Sequence, residues 1–190
     1  SRAYVPQSVW AAIKDPLCEE IGKIKIGDVG DFSNFMTAVI DQRAFDKITG
    51  YIERAKASDT CEVVVGGGSD DSEGWFIEPT IIVTSDPKAE SMVEEIFGPV
   101  LAIIPYQDDA EAIRIANDTP YGLCAYVSGS EARVLATAAQ LRSGMVQLNG
   151  DEGSFDAPFG GYKQSGNGRE FAEYGFEDFL ELKAVMGIEI

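Results

Sequence analysis

The chain has 190 residues, 45% of them hydrophobic and 25% charged, which is the composition of an ordinary globular domain and not of a disordered or low-complexity chain. Fifteen basic against 32 acidic side chains leave a net charge of −17, which excludes a broad nucleic-acid or anionic-membrane footprint because phosphate neutralisation needs a basic face. With no histidine the chain holds no Ser-His-Asp triad, Cys-His pair or HExxH zinc site, and Cys18, Cys61 and Cys124 form no CxxC, so no metal-ligating or dithiol pattern is present.

The opening Arg2-Ala3-Tyr4-Val5-Pro6 reads as a strand. A helix is predicted over residues 41–57, with Phe45, Ile48, Ile52 and Ala55 on one face and Asp41 as N-cap. Residues 62–65 form a short strand running into Gly66-Gly67-Gly68, and residues 74–83 are extended, interrupted by Pro79 and therefore placed near a sheet edge. Next come a buried strand at 100–104 and a helix from Asp108-Asp109 with Ala110, Ile113 and Ala116 on one face. A strand at 123–127, a helix at 131–141 with Val134, Leu135 and Ala138 inward, and a strand at 145–148 complete a βαβαβ series. The expected fold class is therefore α/β, a mostly parallel sheet with flanking helices. A helix at about 170–180 and an apolar strand at 182–190 end the chain, the latter expected to dock on another subunit.

Most of the eye-catching motifs have a bland reading. The triple glycine is followed by no Lys-Ser/Thr and reads as a turn, and Gly166-Asn167-Gly168-Arg169-Glu170-Phe171 lacks the last glycine of a dinucleotide fingerprint. The three cysteines have apolar neighbours and no adjacent base to lower a thiol pKa, so they read as packing residues. Two segments ask for more. In Glu94-Glu95-Ile96-Phe97-Gly98-Pro99-Val100 a carboxylate able to accept two hydrogen bonds from vicinal hydroxyls stands beside an aromatic wall, on a rigid turn entering the central strand. Residues 149–170 form a long loop beyond a strand's carboxyl end, with Pro158-Phe159-Gly160-Gly161-Tyr162-Lys163 and Ser165-Gly166 inside it, the kind of placement that carries function.

These two segments, with Ala116-Asn117-Asp118-Thr119-Pro120-Tyr121-Gly122-Leu123 between them, make the chain resemble the NAD(P)-dependent aldehyde dehydrogenase superfamily from about Arg2 to its end. The resemblance implies a cysteine-bearing type of catalytic domain over residues 1–181 and an oligomerisation-arm strand over 182–190, pairing subunits into a homodimer or homotetramer. It implies NAD or NADP as cofactor, with Glu95 on the nicotinamide ribose and Phe97 beside the nicotinamide. It further implies a loop anchoring a small aldehyde substrate, in which Gly150, Asp151, Phe155 and Phe159 are the candidate contacts, and Glu170 as a second carboxylate near the deacylating water.

The family's nucleophilic cysteine and general-base glutamate match no residue here, so the chain resembles the C-terminal part of an oxidoreductase that oxidises an aldehyde to a carboxylic acid, inert by itself. Asp31-Phe32-Ser33-Asn34-Phe35-Met36-Thr37-Ala38-Val39-Ile40-Asp41 and Asp70-Asp71-Ser72-Glu73-Gly74-Trp75 resemble the glutamate-semialdehyde (pyrroline-carboxylate) dehydrogenases of proline breakdown, whereas Tyr162-Lys163-Gln164-Ser165-Gly166 resembles general aldehyde dehydrogenases. Asp151, Glu152 and Asp156 make the anchor loop acidic, which disfavours a carboxylate-bearing substrate. A truncated, non-catalytic module for subunit association is the alternative of a different class. Sparse cysteines and the lack of any signal-peptide core or membrane-length apolar run lead to a cytoplasmic expectation, without membrane or nucleic-acid partners.

Overall fold

The computed structural model describes residues 1–187, which form two compact units, Ser1–Ala112 and the part from Ile113 onward. The first is built on a four-stranded sheet of order β1-β6-β5-β2, comprising β1 (Arg2–Pro6), β2 (Cys61–Val65), β5 (Thr80–Thr84) and β6 (Val100–Tyr106). β6 runs parallel to both β1 and β5, and β2 is antiparallel to β5. The architecture is mixed α/β with a mainly parallel sheet and flanking helices.

Helix α2 (Gln42–Lys56) forms where the apolar spacing puts it. The Asp41 carboxylate accepts the Ala44 amide at 2.8 Å, satisfying one of the first-turn N–H groups, and Phe45, Ile48, Ile52 and Ala55 are all buried. They pack with Ile77, Ile82, Ile96 and Val100 on one face of the sheet. On another cluster, Trp10 of helix α1 (Gln7–Gly22) packs with Ile81 and Ile103, and Ile13, Leu17 and Ile21 join it. Helix α1 has no counterpart among the elements expected from sequence. Its Trp10-Ile13-Leu17-Ile21 stripe has helical spacing, but Pro16 inside it forfeits a backbone bond and argues against a helix when sequence alone is read.

The edge placement of residues 74–83 is corrected by the structure. Pro79 divides the stretch into β4 (Phe76–Ile77), hairpinned with β3 (Ser69–Asp70), and β5, which lies between β6 and β2 and is almost wholly buried. Pro79 stands just ahead of β5, so the ladder loses no donor, and the Thr80 amide bonds to the Pro99 carbonyl at 2.9 Å. A short helix α3 (Glu90–Val93) precedes β6.

Helix α4 (Asp109–Asn117) follows β6, and its inward residue is Ile115; Ala110, expected inward, is exposed. The second unit then holds a β-α-β run: β7 (Cys124–Val127), α5 (Glu131–Ala138) and β8 (Met145–Leu148), with β7 and β8 parallel. In α5 Val134 is buried as expected, whereas Leu135 is exposed. The βαβαβ series is thus divided, since β6 pairs with β1 and β5 and not with β7.

The expected helix at 170–180 shrinks to α6 (Ala172–Glu177), because Phe171 and Ala172 adopt left-handed φ values of 65° and 54° and Glu170 bridges back to Phe159 instead of starting a helix. Of the strand expected at 182–190, residues 182–187 show no strand pairing, and 188–190 lie outside the described residues. Among the described residues no helix is long and apolar enough to cross a membrane.

Candidate functional site

In the first unit the segment ahead of β6 alternates between pinned and exposed positions. Ile96 is buried in the α2 core cluster, while Glu95 and Phe97 on either side of it face solvent, Phe97 being 81% exposed. Two contacts fix the backbone there. The Lys47 ammonium donates to the Glu95 carbonyl at 2.9 Å, and Gly98 lies so close to α2 that a Cβ would come within 2.6 Å of the Ile48 side chain. Phe97 sits at φ 63°, a left-handed conformation that costs a bulky residue on the order of 1–3 kcal/mol and persists only where its surroundings enforce it. The result is a carboxylate with its acceptors turned to solvent and, two residues on, an aromatic ring, both on immobilised main chain.

The second unit contributes the loop after β8. Residues 149–157 are exposed throughout. Asn149 and Gly150 turn the chain with φ values of 52° and 78°, and the Asn149 side-chain oxygen accepts the Gly129 amide at 2.8 Å. The Asp151 carboxylate accepts the Gly153 amide at 2.7 Å, so it builds the local turn, whereas Gly150 has open space around its α-carbon. Phe155, Phe159 and Phe171 come together: the Phe155 and Phe171 rings meet edge-on with centroids 5.1 Å apart, and Phe159 lies 5.8 Å from Phe171. Phe171, the hub of this group, escaped the sequence reading. Glu170 is exposed, and its backbone exchanges two hydrogen bonds with Phe159, at 2.8 and 2.7 Å, so both residues occupy one bridge.

The segment at 116–123 is scaffold. Asn117 bonds through its side chain to the Gln140 carbonyl at 2.9 Å and the Arg142 amide at 2.7 Å, and the Gly122 carbonyl accepts from the amides of Gly144 and Tyr162. The bland readings also have clear geometry. The Gly67 and Gly68 amides are taken by Thr80 Oγ1 and the Glu78 carboxylate, so the triple glycine is a turn whose donors face protein. Cys18, Cys61 and Cys124 are half-buried free thiols, and Cys61 packs on the α2 core.

The aldehyde dehydrogenase family model matches residues 1–185. The chain is 44% identical to 3-succinoylsemialdehyde-pyridine dehydrogenase of a Pseudomonas species over all of its own length and 40% of the relative's. It is 45% identical to the mitochondrial delta-1-pyrroline-5-carboxylate dehydrogenase of Dictyostelium discoideum, covering 87% of this chain and 31% of that one. The crystal structure of a mutant aldehyde dehydrogenase C from Pseudomonas syringae, with NAD+ and octanal, superposes with a TM-score of 0.89 at 36% identity over 97% of this chain and 39% of that one. The chain thus spans 31–40% of the length of these relatives. At that identity and coverage, the chain belongs to the aldehyde dehydrogenase family.

Proposed function

We propose that these residues form the nicotinamide-positioning and aldehyde-anchoring part of an enzyme that oxidises an uncharged aldehyde to its carboxylic acid with NAD or NADP. The observation that carries this reading is the pair Glu95 and Phe97, both exposed on backbone held by buried Ile96 and tightly packed Gly98. A free carboxylate offers two acceptors at the spacing of vicinal ribose hydroxyls, and the Phe97 ring offers a flat wall, so the residues present suit a nicotinamide riboside. When bound, the dinucleotide supplies the hydride acceptor.

Glu95 fixes the ribose and Phe97 limits the room of the neighbouring ring, which sets the face presented to the aldehyde carbon. Phe155 and Phe159, joined through Phe171, wall the aldehyde's apolar chain. Gly150 lets the main chain come close to the substrate, and Asp151, with Glu152 and Asp156, repels a substrate carboxylate. Glu170 holds a carboxylate ready to orient the water that releases the acid. The thiolate that adds to the carbonyl and the glutamate that activates the water match no residue among these 190; Cys18, Cys61 and Cys124 are half-buried thiols with no basic neighbour in sequence to lower their pKa, and they are not assigned that role.

In the complete enzyme, Glu95→Gln keeps the shape and removes the charge, and hydride transfer followed by single-turnover NADH absorbance falls about 10- to 150-fold, equivalent to about 1.5 to 3 kcal/mol for hydrogen bonds to a charged group. An unchanged single-turnover rate refutes the assignment. A second reading, oxidation of glutamate semialdehyde in proline catabolism, is favoured by the 45% identity to the Dictyostelium enzyme. It wins if kcat/KM for that semialdehyde exceeds kcat/KM for uncharged aldehydes. The exposed Leu182, Val185 and Met186 support an arm in which residues 182–190 pair with a second subunit as a homodimer or homotetramer.

A further inference from the structure

The loop at 149–170 is held unevenly, and its held half converges on one ammonium group. Lys163 Nζ donates to the Asn117 carbonyl at 2.8 Å and to the Thr119 carbonyl at 3.0 Å. On either side of it the backbone is laced to the same segment: the Tyr162 amide bonds to the Gly122 carbonyl at 2.8 Å and the Gln164 amide to the Pro120 carbonyl at 2.9 Å. Ser165 Oγ closes the set by accepting the Gly122 amide at 2.9 Å. Lys163 itself sits at φ 56°, a conformation a long side chain avoids unless its surroundings impose it.

The other end of this lacing is the bridge between Phe159 and Glu170, whose two mutual backbone bonds close residues 160–169 into a lobe. Lys163 lies near the tip of that lobe, and its base carries Phe159, Glu170 and Phe171 side by side. We propose that Lys163 is a positioning residue for substrate selection: by holding the lobe tip on the carbonyls of Asn117 and Thr119, it sets where the Phe155-Phe159-Phe171 wall stands. The inference rests on the aldehyde-oxidising reading above. Lysine suits the task because a charged donor strengthens both bonds to carbonyls, and because its flexible stem reaches two acceptors from a strained backbone position. Beyond Asn149, which is tied to Val127 and Gly129, the bonds of residues 150–157 are local, and this stretch takes its place from its two ends and the rings.

The test uses the complete enzyme with Lys163→Gln and Lys163→Arg, read by hydrogen exchange and by steady-state kinetics. In Lys163→Gln, the amides of Tyr121, Gly122 and residues 162–165 exchange about tenfold faster while those of β6 keep their rate, as expected for loss of two charge-assisted bonds. The ratio of kcat/KM for octanal to that for acetaldehyde falls about fivefold, because a wall displaced by a fraction of an ångström affects only the long chain, and KM for the dinucleotide is unchanged. Lys163→Arg recovers more than half of both effects.

Exchange within twofold of wild type in Lys163→Gln overturns the proposal, as does faster exchange with an unchanged octanal-to-acetaldehyde ratio, which makes the lysine a brace only. If Lys163→Gln exchanges everywhere, β6 included, Lys163→Arg decides: wild-type selectivity upholds the proposal and lost selectivity overturns it. A wild-type enzyme that oxidises neither aldehyde removes the functional reading and with it the selectivity claim, whereas exchange still decides the lacing by itself.

Discussion

The two compact units bury their side chains in different ways. In the first, Ile48, Ile52, Ile77, Ile81, Ile82 and Ile103 are all but inaccessible, and they tie α1 and α2 to the two faces of one sheet. In the second, Ile115 and Val134 are the buried hydrophobic residues among those described. With so few buried side chains, its closest contacts are made by main chain: a Cβ on Gly144 would run into the Gly160 carbonyl oxygen, one on Gly122 into the Arg142 carbonyl, and one on Gly161 into Ser165, a kind of contact that the first unit makes at Gly66, against the Pro79 carbonyl oxygen, beside its apolar core. The first unit is stabilised mainly by transfer of apolar surface from water, the second by backbone fit and by side chains that bond to carbonyls. The unit built from backbone contacts is also the one that carries the exposed loop and its three rings, consistent with binding loops resting on a rigid scaffold.

That contrast is broken or sharpened most directly by emptying each core. Ile82→Ala removes a fully buried side chain from the central strand β5 and costs about 4 kcal/mol of stability, within the usual span for such truncations. Val134→Ala in α5 costs about 2 kcal/mol, since less apolar surface is lost. Both are measured by urea unfolding of the purified protein, and equal losses would mean that the second unit relies on its apolar core as much as the first.

Gly144→Ala costs the second unit more than Val134→Ala does. A methyl group there meets the backbone of Gly160 and Gly161, so that loop and the start of β8 must move apart, with a loss of about 3 kcal/mol, at the upper end of what overpacking typically costs. Hydrogen exchange localises the effect: amides of β7 and β8 lose protection while those of β5 and β6 keep theirs. A loss spread evenly over both units contradicts the idea that the second unit, with its small apolar core, depends on this main-chain contact more than the first.

The same contrast decides which parts of the fold are legible in the sequence. Helix α2 was legible because burial and amphipathic spacing coincide: Phe45, Ile48, Ile52 and Ala55 repeat with the helix period and Asp41 supplies the cap, so each local choice agrees with the packing. The exposure of Glu95 and Phe97 about a buried Ile96 follows no strand alternation, because Phe97 takes a left-handed φ of 63° on the turn that enters β6. The central place of β5 was not legible, because Pro79 signals an edge in sequence, yet it stands one residue before the strand and forfeits no ladder bond.

Phe171 was hidden for another reason. It joins Phe155 and Phe159 only because Phe171 and Ala172 both take left-handed φ, and neither residue type announces that conformation as glycine does. Lys163 is the same case, a non-glycine residue turned by contacts with a segment more than forty residues earlier in the chain. Where stabilisation comes from apolar faces, sequence periodicity reports it; where it comes from main-chain fit between distant segments, no period exists to be read.

The smallest effect separates the two kinds of glycine. Gly50 lies inside α2, with ordinary helical backbone, and a Cβ built on it meets only the guanidinium end of Arg54 at 3.1 Å. That group is the flexible tip of an exposed side chain paired with Glu90, and it can move aside by a few tenths of an ångström. Gly50→Ala therefore gains most of the helix-propensity difference, about 0.5 to 1 kcal/mol, by removing conformational freedom from the unfolded chain. The expected result is a higher urea midpoint with an unchanged slope. A lower midpoint would show that α2 also depends on close approach at its glycine, and the division between a unit packed by side chains and a unit packed by main chain would have to be redrawn.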